Sequence, residues 1–352
     1  MFLFIALTAC TSTPHCEGLS YTDFSQTREL KGTVIPLDTA LFRYPFRIRI
    51  QGDKAVVMDL HGTDYFCHAF SYPEFHYISS FGKRGESPDE QISVENIRWY
   101  GESLWSLDAN KSELTRFGCD LSGDSLFRQE AVNLDKDILR ALDFVMVDDS
   151  TFIIPDYSGD NRFCRVNRQG GLLYKMGAIL SSNEDAMKHA RPALAQAWRS
   201  FIDYNPRNGV LAAVTQLGEV LEVFNLKDST HVVRIGPHGE PEFKLSEGYG
   251  IPTGIMGFSD VQVTDSAIYA VFHGRSFKEI AQNARKSIQV DGGQYIYVFN
   301  LKGEPLCKYV LDHCIYGISV NEQKGTILAT DVNKDEPIIE YTCLLYTSPS
   351  PR

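Results

Sequence analysis

The chain has 352 residues, 43% of them hydrophobic and 22% charged, which is enough apolar material for a large buried core and excludes a disordered chain. Its 34 basic residues against 45 acidic ones leave a net charge of -11, the wrong sign for neutralising phosphates, so nucleic acid is excluded as a partner. None of the eight cysteines forms a CxxC pair, which predicts buried free thiols rather than a cysteine metal site.

The chain opens "MFLFIALTAC", an apolar run from Phe2 to Leu7 that is too short to span a bilayer, which takes roughly 20 residues. It reads as an export signal, although no Lys or Arg precedes it as such signals require, which points to a mis-called or truncated start. Its last four residues, Leu7 to Cys10, resemble a bacterial lipobox. That assignment makes 1–10 a signal peptide, Cys10 the lipidated residue, 11–28 a linker, and the protein an outer-membrane lipoprotein of the cell envelope.

From there the chain repeats one unit: an apolar strand containing an aromatic residue, a turn, and a second strand. The copies are "DYFCHAFSYPEFHYI", "LTRFGCDLSGDSLFR", "NRFCRVNRQGGLLYKM", "LEVFNLKDSTHVVRI" and "IYVFNLKGEPLCKYV", with "PIIEYT" as a shortened sixth. Their aligned aromatics are Phe66, Phe117, Phe163, Phe224, Phe299 and Tyr341. The spacing suits propeller blades of roughly 40 to 50 residues with insertions. Ahead of each copy stands another strand pair split by a turn, as in "FRIRIQGDKAVVMDL" and "DVQVTDSAIYAVF", giving four strands per unit and six units.

The predicted fold is therefore all-β: a monomeric six-bladed β-propeller of four-stranded antiparallel blades over residues 29–342. Ser181 to Trp198 is a helical insertion capped by Asn183 and interrupted near Pro192. His273 to Gly293 is a long loop in blade five. The sixth unit shows only three strands, so "ELKGTVIPLD", Glu29 to Asp38, is expected to supply the missing outer strand and close the ring. The ending "CLLYTSPSPR", Cys343 to Arg352, matches one reading-frame translation of a transposase adapter used for sequencing libraries, so 343–352 is read as a non-native tail.

The lipobox, the opening "FRYPFRIRI", the blade exit "FGKRGESPDE" and the run from "DSAIYAVFHGRSFKE" to "PIIEYT" together resemble the TolB-like six-bladed propeller lipoproteins of Bacteroidota. The resemblance implies a lipid-anchored propeller in the envelope, with no established catalytic activity. The family's glycine-rich exit is here "RGESPDE", a departure at that loop.

Ligands of propellers sit at the channel mouth, where the innermost strands start and side chains from every blade converge. Those starts lie near Arg47, Asn96, Arg140, Arg199, Ser259 and Tyr316, and the blade-five loop adds His273, Arg275 and Lys278. Three arginines of six predict a seat for carboxylate or phosphate, because a guanidinium offers paired donors and stays charged. The expected role is non-catalytic binding of a protein, peptide, glycan or small anion, with no cofactor and no metal. The alternative is a metal-dependent hydrolase or lyase using Asn96, Asp143 and Asp260 as oxygen ligands. Trp99, Trp105 and Trp198 read as core residues rather than sugar platforms. His61, His68 and His76 fall on or beside strands of blade one, where they read as bland polar positions.

Overall fold

Short apolar strands alternating with tight turns form six antiparallel four-stranded sheets in the computed structural model, which describes residues 18–37, 42–119, 125–286 and 290–343. The innermost strands are Pro45–Gln51, Val94–Tyr100, Val145–Asp148, Ser200–Asn205, Phe258–Val263 and Ile318–Asn321. Second strands such as Val210–Thr215 and Ala267–Phe272 are buried at every position. They read as unbroken apolar runs because neighbouring blades cover both of their faces. Outer strands such as Leu126–Asn133 alternate buried and exposed residues instead, as a sheet with one wet face must.

The six aligned aromatics all fall on third strands, and all are buried. They fill the wedge between blades: Phe163 of blade three meets Phe224 of blade four edge-on, with ring centroids 5.0 Å apart. Burying an aromatic side chain in such an interface contributes about 1.5–3 kcal/mol, which is why the repeat survives in sequence where turns and outer strands do not.

The N-terminal stretch closes the ring, with a different division of labour from the expected one. Thr33–Ile35 pairs antiparallel with Ile338–Thr342 as the outer strand of blade six. The preceding residues, expected as a linker, are also paired. Gln26–Leu30 runs parallel to Pro305–Ile315 as a fifth strand of blade five, and Gly18–Ser20 runs parallel to Thr230–Ile235 as a fifth strand of blade four. One strap thus covers the rims of three successive blades, and it hides edges that would otherwise offer unpaired N–H and C=O groups. Its anchor is Tyr21, whose hydroxyl donates to the buried Glu219 carboxylate at 2.7 Å.

The insertion at 181–198 forms two helices, α1 (Glu184–His189) and α2 (Arg191–Ala197). The Asn183 side chain caps α1 by accepting from the Ala186 N–H, and Pro192 sits in the first turn of α2, where a missing N–H costs nothing. Two further elements were not expected. A hairpin, Phe243–Ser246 with Tyr249–Pro252, follows blade four. Within the blade-five loop lies helix α3 (Phe277–Arg285), opened by a capping box between Ser276 and Glu279. Cys343, expected to begin the appended tail, is buried, and its N–H donates to the Gly325 carbonyl at 2.8 Å. Residues 344–352 and Cys10 lie outside the described residues.

Candidate functional site

The channel interior holds a network of charged groups that joins neighbouring and next-neighbouring blades. Three aspartates each accept the backbone N–H of the next blade's inner strand: Asp143 from Ile202 at 2.9 Å, Asp203 from Val263 at 2.7 Å, and Asp260 from Ile318 at 2.9 Å. Three arginines from blades one and two reach over to them. Arg49 places its two terminal nitrogens on the Asp260 oxygens at 3.0 and 2.9 Å. Arg98 bridges Asp203 at 2.6 Å and Asp143 at 3.1 Å, and also donates to the Ile202 carbonyl. Arg47 is fully buried, donating to the Ser259 carbonyl at 2.6 Å with its Nε 3.5 Å from Asp260.

Burial disfavours the charged forms of Asp260, Asp203 and Arg47, and their partners outweigh it only at the first. For Asp260, burial opposes ionisation but Arg47 and Arg49 outweigh it and hold the carboxyl below its ordinary value. For Asp203, burial wins over Arg98 and the carboxyl rises. Burial lowers Arg47 to about 10, still cationic at neutral pH. The network is a strut whose ion pairs cross from blade to blade.

The face where the inner strands start carries an open site. A cavity of about 670 Å3 lies between blades one, five and six, with α3 as its outer wall; its lining includes Tyr44, Tyr316, His273, Arg275, Ile280 and Asp291. A second cavity of about 300 Å3, lined by Arg140, Arg199, Gln196, Gln216 and Tyr157 among others, adjoins it. Met256 and Phe277 line both, so the two cavities abut at these residues and together make the groove of this face.

His273 is the unusual member. It is only 4% exposed, and its Nε2 has no hydrogen-bond partner among the described residues. Burial, with Arg275 adding to it, pushes its imidazole down to about 4, so the ring is neutral at physiological pH. The second strands explain its position. In blades one, two, three and six the strand runs into an aspartate, Asp59, Asp108, Asp156 or Asp331, whose carboxylate accepts loop N–H groups, such as that of Tyr44 at 2.7 Å or Ile92 at 2.6 Å. Blade five has His273 after its second strand. Across the cavity, Tyr44 donates to Asp291, and Arg275 donates to the Val290 and Gly292 carbonyls.

The expected site residues therefore separate into three places. His273, Arg275 and Tyr316 share the larger cavity, and Arg140 and Arg199 share the smaller one. Arg47, Asn96 and Ser259 are buried in the channel wall; the Asn96 amide donates to Asp143 at 2.7 Å and the Ser259 hydroxyl to the Tyr316 carbonyl at 2.8 Å. Arg47 is thus not presented to the mouth. Arg140 is exposed, in a loop ahead of Val145–Asp148, with φ +53°. Asp143 accepts from Arg98 of the adjacent blade and Asp260 pairs with Arg47 and Arg49 of blade one, and among the described residues no group of three His, Cys, Asp or Glu is arranged to hold a metal ion. Lys278 is exposed on α3. Trp105 and Trp198 are core residues. Trp99 is partly exposed and lines a cavity of about 360 Å3 at the opposite mouth.

The strut residues Arg49, Arg98 and Asp203 escaped sequence reasoning, although each stands two positions beyond an expected strand start or further along the same strand. So did Asp291 and the α3 wall. The serine and glutamate of "SFKE" were an available helix-start signal.

Six radial blades closed by an N-terminal strand, with an open groove at one mouth, define a six-bladed β-propeller. Residues 23–323 match the family described as TolB-like 6-blade propeller-like, and the chain belongs to that family. Among solved structures it is similar to a Bacteroides fragilis protein described as exported, at 9% identity and TM-score 0.56 over 92% of this chain and 98% of that one. It is also similar to a member of the DUF4221 family from Bacteroides vulgatus, at 11% identity and TM-score 0.54 over 90% and 98%. At these identities the likeness is one of fold. No curated protein matches the sequence.

Proposed function

We propose that this protein is a non-catalytic binding module of the cell envelope, held to the membrane by a lipid on Cys10, whose ligand seats in the groove beside α3. The observation that carries the reading is His273: a buried neutral imidazole with an unpartnered nitrogen in the wall of a large cavity. Leaving a buried polar atom unpaired costs about 1–3 kcal/mol, a cost a bound ligand can offset. The envelope address is supported by the lipobox-like "LTAC" and by the B. fragilis protein of the same fold that is described as exported. The hydrolase alternative is not favoured, since its oxygen ligands are engaged in the channel strut.

The test is thermal unfolding of the full chain with a panel of peptides, oligosaccharides, small anions and divalent cations, repeated on Ala284→Trp, which sets a bulky ring in the α3 wall of the larger cavity. A ligand at about 100 times its Kd adds about 2.7 kcal/mol. Ligands that raise the melting temperature of the native chain but not of the Ala284→Trp variant support the site. Equal shifts in both place binding elsewhere and defeat it.

A further inference from the structure

Helix α3 has the sequence FKEIAQNAR, with Phe277, Ile280, Ala281 and Ala284 spaced as the apolar stripe of a helix that packs on a core. Yet none of its residues is buried. Phe277, Ile280 and Ala284 line the larger cavity. Phe277 is half-buried against the cluster of Leu194, Trp198 and Leu217, while the next turns of the stripe, Ile280 and Ala284, are open to the cavity and can take an apolar occupant.

The charges of the groove are unevenly placed. In the larger cavity the Arg275 guanidinium donates to two carbonyls and stands in the same wall as the Asp291 carboxylate, so the two formal charges there offset each other. In the smaller cavity there are two arginines and no carboxylate in the lining. Arg140 is exposed, and Arg199 has one counter-ion, Glu95, at 3.1 Å. Gln196 and Gln216 add neutral donors beside them. On a chain of net charge -11, this is a local cationic end beside a chamber whose α3 wall is apolar and whose opposite wall is polar.

We infer that the groove takes an amphiphilic anion, with its apolar body under α3 and its carboxylate or phosphate head on Arg140 and Arg199. The inference rests on the proposed binding role of the same groove and names its ligand class. Two guanidiniums recognise either head through paired N–H donors, so head and body are tested separately.

The experiment is calorimetric titration of the full chain with decanoate, decyl phosphate and decanol below their aggregation concentrations. Native protein should bind at least one of the two anions about ten-fold more tightly than decanol, and the ratio between the two assigns the head. The variant Arg140→Asn with Arg199→Gln should erase the preference for the anion while still binding decanol; asparagine is chosen because it tolerates the positive φ of residue 140. Glu95→Gln, which removes the counter-charge of Arg199, should tighten anion binding severalfold, an effect no loss of structure produces. Ala284→Trp should abolish all three. The inference is overturned if decanol binds as tightly as the anions, if the arginine variant keeps the preference, or if none of the three binds. In that last case, a panel ligand still lost from Ala284→Trp would leave the binding role standing without this ligand class.

Discussion

Arg49 and Asp260, 211 residues apart, form a two-pronged ion pair inside the channel, at 3.0 and 2.9 Å, that ties blade one to blade five. Asp260 also accepts the Ile318 N–H of blade six at 2.9 Å, so one carboxylate holds three blades. Removing it leaves the guanidiniums of Arg47 and Arg49 buried without their main counter-charge. Asp260→Ala should lower stability by about 3–5 kcal/mol, read by chemical denaturation. A loss below about 1 kcal/mol would show that the strut is not what holds the ring.

Tyr21 and Glu219 make the equivalent connection at the rim. Burial, together with Glu219, raises the tyrosine pKa, so the phenol remains a donor at all working pH values. Tyr21→Phe keeps the ring packing and removes only the bond to a buried carboxylate, for an expected cost of about 1.5–3 kcal/mol. Hydrogen exchange should also quicken in Gly18–Ser20. Unchanged protection there would mean that strand pairing alone seats the strap.

The pH dependence has a definite sign at His273. Its imidazole titrates near 6.5 in the unfolded chain and about 4 in the folded one, so between those values the unfolded state binds the extra proton. Stability is fully present above about pH 6.5 and falls as pH drops toward 4, by up to roughly 3 kcal/mol. His273→Gln should flatten that part of the curve relative to the native chain. The Asp260 contribution, with a folded value held below the ordinary 3.8, is lost only at lower pH and is common to both proteins. Parallel curves for the two proteins from pH 7 to 4 would contradict the assignment.

The ring was legible because its evidence is local and repeated. Each third-strand aromatic from Phe66 to Tyr341 occupies the same kind of wedge, so one physical demand is written six times along the chain. The closing strand was legible from a deficit, a three-stranded sixth unit. Gln26–Leu30 was not, since its residues are mostly exposed and its pairing rests on backbone groups that leave little trace in side chains. The site fared less well for a different reason. Arg47 and Arg140 look equivalent as residues at strand starts, but one meets Ser259, a partner 212 positions away, and the other meets solvent. Chain-distant partners decide whether an arginine is a strut or a ligand donor, and spacing alone does not encode them.

Helix α3 offers a way to separate binding from stability. It is opened by the Ser276 side chain, which accepts from the Glu279 N–H at 3.1 Å, while the Glu279 carboxylate accepts from the Ser276 N–H at 2.8 Å. Ser276→Ala removes the first of these bonds, at a cost of about 1 kcal/mol to the helix. Because α3 buries no residue, that cost should fall on local opening rather than on global unfolding. Hydrogen exchange over Phe277–Arg285 should rise about five-fold, which corresponds to about 1 kcal/mol, with the melting temperature of the free protein almost unmoved. Affinity for any ligand seated against the α3 wall should weaken by a similar factor. A large drop in melting temperature would show instead that α3 belongs to the cooperative core, and that the cavity behind it is sustained by the fold rather than left for an occupant.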